Sequence, residues 1–155
     1  MTSKCSIAVG AAALTLTIVL APVRSKAADD GADQRFEQAL TDCTPEEVEM
    51  ASVIATCLME KEKEYGKELE QLYQRLLKGT PAPKVAVLRR QQRNWLKYQK
   101  QHCDSFYYLH ENEGWGPPRL SSARCLLRTT LQRIEELRCL LTEAPTGAVC
   151  LIRPH

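Results

Sequence analysis

Cysteine placement constrains this chain more than any other feature. Of its seven cysteines, Cys5 lies in a segment that reads as a processing signal. Lys4 gives that segment a positive start, Ile7 to Ala21 is an uncharged apolar run, and Pro22 ends it. Ser25-Lys26-Ala27 then offers small residues at both positions a signal peptidase reads, so cleavage is expected after Ala27. The run is too short for a membrane span, which wants ~20 apolar residues. Cys5 precedes it, whereas a lipid-attachment cysteine would follow. Export leaves an even set: Cys43, Cys57, Cys103, Cys125, Cys139 and Cys150. Six cysteines in a small exported chain predict a disulfide framework. Zinc fits poorly, since no pair has CxxC spacing and no His stands at the finger-type distance from a Cys.

Removing residues 1–27 also changes the charge argument. The whole chain has 21 basic and 19 acidic residues, but the signal holds Lys4, Arg24 and Lys26 and no acid. The mature chain therefore has 18 basic against 19 acidic residues, a formal charge of −1. A near-neutral domain gives no ground for a nucleic-acid or membrane-surface partner. No stable membrane span is expected after cleavage.

Residues 28–43 read as a polar lead segment, with Arg35 to Leu40 long enough for one helical turn. Thr44, Pro45 and Glu47 resemble an N-cap, an N1 proline and a capping-box acid, so the first long helix is expected to start there. Val48, Ala51, Ala55, Leu58, Tyr65, Leu69, Leu72 and Leu76 then recur at steps of three and four, with Glu62 in the apolar register. Glu62 suits either a wet edge or a pairing with a basic residue of a neighbouring helix; the edge is favoured. Gly79 and the prolines after it stop this helix near Lys78.

A second helix starts near Pro83 and aligns Leu88, Gln92, Trp95, Gln99, Cys103 and Phe106. It ends before Gly114-Trp115-Gly116-Pro117-Pro118. A third runs from about Ser121 and places Leu127, Leu131, Ile134 and Leu137 inward, fading before Pro145. The predicted fold is all-α, a disulfide-stapled antiparallel bundle of three main helices. The main domain spans residues 44–142, and 143–155 form a tail. Helical rise puts Cys103 and Cys125 ~12 and ~9 Å from their shared loop, level enough to bond, but Cys57 and Cys103 are level too. The favoured set is Cys43–Cys57, Cys103–Cys125 and Cys139–Cys150.

Leu88, Gln92-Arg93, Trp95, Tyr98 and Cys103 resemble the L-x(3)-Q-R-x-W-x-x-Y pattern, followed by a cysteine, of the LprI-like lysozyme-inhibitor family. Cys125-Leu126, Thr130, Arg133 and Leu137 are similar to its C-L-x(3)-T-x-x-R-x(3)-L. Cys57, Leu69 and Tyr73 fit the family's first helix. Gly66 and Glu70 stand where it usually has Asp and Asn, and Gln99 where it often has Arg. The resemblance covers about Cys43 to Leu137. It implies an exported helical domain that binds another protein, either a lysozyme-like muramidase or an envelope component.

Trp115 lies between two glycines before a diproline, a setting for an aromatic loop tip that recognises a partner or folds down to cap the bundle. Glu111 and Glu113 flank it and would steer a basic protein. Arg93 is a further binding candidate, although period-matched neighbours such as Trp95 more often pack than bind. His102 and His110 are too far apart for a helical metal pair, and no metal or other cofactor is expected. No nucleophile elbow, HExxH, P-loop or dinucleotide fingerprint occurs, so no catalytic residues are assigned and the reading points away from an enzyme. The expected location is periplasmic or secreted. The alternative function is a structural or assembly adaptor of the cell envelope without lysozyme-inhibiting activity.

Overall fold

In the computed structural model, residues 27–46, 50–109 and 118–143 are described. They form four helices: α1 (Ala27–Cys43), α2 (Ala51–Gly79), α3 (Ala82–Leu109) and α4 (Pro118–Glu143). The three main helices of the sequence reading are α2, α3 and α4. Their packing makes α4 the hub, since it contacts each of the other three, while the consecutive α2 and α3 scarcely touch. Leu127, Leu131, Ile134 and Leu137 repeat at steps of three and four along α4 and are all but fully buried. They meet Ile54, Leu58, Leu69 and Leu72 from α2 in one core. Cross-helix pairs give the directions. Gln99 reaches Thr130 while Gln92 reaches Arg133, so α3 and α4 are antiparallel. Thr130 meets Glu62 while Arg138 meets Glu68, so α2 and α4 run the same way.

Two expectations for the chain's first part are corrected. The expected single turn at Arg35 to Leu40 belongs to the 17-residue helix α1, held by contacts distant in sequence. Phe36 is buried in the core beneath the Arg128 guanidinium, 4.3 Å from its ring centroid. Arg35 bonds Glu68 and lies 3.5 Å from Glu135, and its guanidinium covers the Tyr65 ring at 4.5 Å. The long helix does not start at Thr44. Thr44 instead closes α1, its Oγ1 donating to the Leu40 carbonyl at 2.7 Å. The next helix begins after Met50, whose side chain provides no cap. Thr44 thus satisfies a carbonyl at the end of one helix rather than amides at the start of the next. Glu47 and Val48 lie outside the described residues.

Disulfides Cys43–Cys57 and Cys103–Cys125 are both formed, with Cα separations of 5.7 and 5.4 Å. The first ties the end of α1 to α2; the second ties α3 to α4 beside their connection. Cys139 is disulfide-bonded as well, while Cys150, its expected partner, lies outside the described residues. So do residues 1–26 of the expected signal segment and the expected tail from Ala144. No described helix is long and apolar enough to cross a membrane.

A second tie between α1 and α2 is acid-sensitive. The Gln38 amide at 2.8 Å, and then the Lys61 ammonium at 3.0 Å, stabilise the Asp42 carboxylate and hold its pKa below the ordinary value. A group with a depressed folded-state pKa contributes stability above its unfolded pKa and loses it as pH falls through the folded one. The Asp42 contribution is therefore expected to fade on acidification. In an NMR titration Lys61→Ala should move the Asp42 midpoint upward. An unchanged midpoint would show that the ion pair has no influence there.

Candidate functional site

Because α4 holds α2 and α3 apart, an open groove of about 440 Å³ lies between them. Glu62, Gly66, Glu70 and Tyr73 line it from α2; Arg89, Arg93 and Leu96 from α3; Thr130 of α4 forms part of the floor. Gln92 and Gln99 stand seven residues apart on α3, close to two helical turns, and so reach the floor on one face. They are only 5 and 7 % exposed.

The floor is held by two hydrogen-bond sets. Gln99 Nε2 donates to Thr130 Oγ1 at 2.8 Å and to Thr129 Oγ1 at 3.1 Å, with the Leu126 carbonyl at 3.3 Å. Thr130 Oγ1 donates onward to Glu62 Oε1 at 3.1 Å. This explains a carboxylate in the apolar register of α2: Glu62 is half-buried at the groove edge and accepts from a hydroxyl. In the second set, Arg133 donates through Nε and one terminal nitrogen to Gln92 Oε1 at 3.2 and 3.1 Å. Its other terminal nitrogen meets Glu136 at 2.6 Å, and the guanidinium lies 5.6 Å from the Trp95 ring centroid. Trp95 is partly buried against the core, which is the packing role weighed for it.

Arg93 is exposed on the α3 wall, and among the described residues it makes no ion pair. Glu111, Glu113 and Trp115 lie outside the described residues, as does His110. His102 stacks on Tyr98 with ring centroids 5.2 Å apart and meets Phe106 edge-on at 5.3 Å. Among the described residues no cluster of His, Cys, Asp and Glu is arranged to hold a metal ion.

The groove residues all fall within the part of the chain that a family model matches. The model of the family described as Lysozyme inhibitor LprI matches residues 41–137. The chain belongs to that family. Gln92, Arg93, Trp95 and Thr130 of the family-like pattern line the groove. So do Gly66, Glu70 and Gln99, the positions at which this chain departs from the pattern. The departures therefore change one surface rather than three. No curated protein and no solved structure matches the chain.

Sequence reasoning missed the groove because it exists only once α4 separates two helices that are neighbours in sequence. Its one advance sign was polar Glu62, Gln92 and Gln99 in otherwise apolar registers. Gly66 adds open space, since a Cβ built there meets nothing within 4 Å. Gly66→Ala is expected to raise stability by ~0.5–1 kcal/mol, because glycine in a helix interior carries extra unfolded-state entropy. Urea unfolding measures this, and a loss of stability would contradict the open space at that position.

Proposed function

We propose that this chain is an exported protein-binding domain that inhibits a lysozyme-like muramidase by sterically blocking its substrate cleft. The observation carrying this reading is the family match over residues 41–137. The disulfides support an oxidising destination, periplasmic or secreted. The contact surface in this reading is Trp115 with Glu111 and Glu113, helped by Arg93. Cys103–Cys125 closes the chain segment that carries the first three, which lowers the entropy lost on binding. The two acids steer a basic partner, and the tryptophan supplies the apolar anchor.

The test is direct complex formation between the oxidised protein and purified animal-type and bacterial muramidases, followed by calorimetry. Binding at micromolar concentration is expected, with Trp115→Ala reducing affinity and Glu111→Gln with Glu113→Gln slowing association at low salt. Failure to bind any muramidase at that concentration would overturn the proposal.

A further inference from the structure

The groove floor holds two amide groups whose orientations are fixed by chemistry. Arg133 can only donate, so Gln92 must turn its Oε1 toward it. The Leu126 carbonyl can only accept, so Gln99 must present its Nε2 there. The other half of each amide, the Gln92 Nε2 donor and the Gln99 Oε1 acceptor, makes no hydrogen bond among the described residues. Both side chains are more than nine-tenths buried and both line the groove. Buried polar atoms of this kind are costly unless something pairs with them.

The walls carry complementary charge. Arg89 and Arg93, one turn apart on α3, are exposed and make no ion pair among the described residues. Glu62 and Glu70 line the opposite side, on α2. Since α3 runs antiparallel to α2, Glu62 lies toward the Gln99 end of the groove, while Arg89 and, on the facing wall, Glu70 lie toward the far end, where Glu70 accepts from the Gln74 amide at 2.7 Å. The order along the floor is therefore carboxylate, free acceptor, free donor, guanidinium.

An extended peptide has the matching order: ammonium, amide N–H, carbonyl and carboxylate. We infer that the groove binds a short free peptide lying with its C-terminus toward Arg89 and Arg93. Its N-terminus lies toward Glu62, and its backbone amides pair with Gln99 and Gln92. The ten helical steps from Arg89 to Gln99 span ~15 Å, the extended length of about four or five residues. Leu69, Tyr73 and Leu96 line the groove and suit apolar side chains. Trp115, Glu111 and Glu113 play no part, and Arg93 is the one residue this site shares with the muramidase reading.

The test is calorimetric titration of the oxidised full-length protein with the tetrapeptide Ala-Leu-Ala-Leu, in free, C-terminally amidated and N-acetylated forms. The free form should bind saturably. Amidation should weaken it ~10-fold or more, the scale of a lost charged hydrogen bond, and acetylation should weaken it as well. Arg89→Ala with Arg93→Ala should reproduce the amidation loss and abolish any further effect of amidation. Gly66→Met should block binding with an unchanged circular dichroism spectrum. Absence of binding at millimolar peptide, or equal binding of free and amidated forms, would overturn the inference. Undiminished binding of the acetylated form would also overturn it, in favour of a protein's C-terminal tail.

Discussion

Replacing Leu131 by alanine is expected to lower the unfolding free energy by ~2–5 kcal/mol, the range for truncating a buried leucine. Leu131 is fully buried on α4, the helix against which the other three pack. Truncation leaves a cavity at the centre of the bundle, where α4 is hemmed in and relaxation is limited. For a domain whose net stability is typically ~5–15 kcal/mol, that loss is a large share. Chemical denaturation should show a lower midpoint with an unchanged slope. A loss below about 1 kcal/mol, the size of a surface substitution rather than a core one, would mean that α4 is not the hub.

Removal of the Cys103–Cys125 bridge should cost nearly as much and should also affect binding. The bridge joins α3 to α4 at a sequence separation of 22, and loops of that size give a disulfide ~2–4 kcal/mol. Cys103→Ala with Cys125→Ala avoids a stray thiol, and it also leaves a small gap where Cys103 was fully buried. The variant should melt earlier than the parent. Its muramidase affinity should fall more than that of Cys43→Ala with Cys57→Ala, which loosens only the attachment of α1. Equal losses from the two double variants would separate the bound surface from the α3–α4 connection.

The helices α2, α3 and α4 were legible because their apolar residues recur at helical spacing over several turns. The Cys103–Cys125 bridge was legible only in part, since counting residues put those cysteines level on antiparallel helices but put Cys57 and Cys103 level too. α1 was not, and the reason is physical. Asp29, Asp30, Gly31 and Asp33 give its start weak helical propensity, and its order comes from Phe36, Arg35 and Cys43 meeting residues of α2 and α4. Thr44 and Pro45 have the local chemistry of a helix start, yet tertiary placement made Thr44 the end of α1. The groove was hidden for the same reason. Gln92 and Gln99 looked like polar interruptions of a stripe, and only the position of α4 turns them into a floor.

Inhibition of a muramidase is the function proposed for this family member. A lysis assay on peptidoglycan, with lysozyme and increasing amounts of the oxidised protein, tests it most directly. Dose-dependent inhibition at micromolar protein is expected, weakened by Trp115→Ala without loss of helical content. Full lysozyme activity at every protein concentration, against both animal-type and bacterial muramidases, would contradict it.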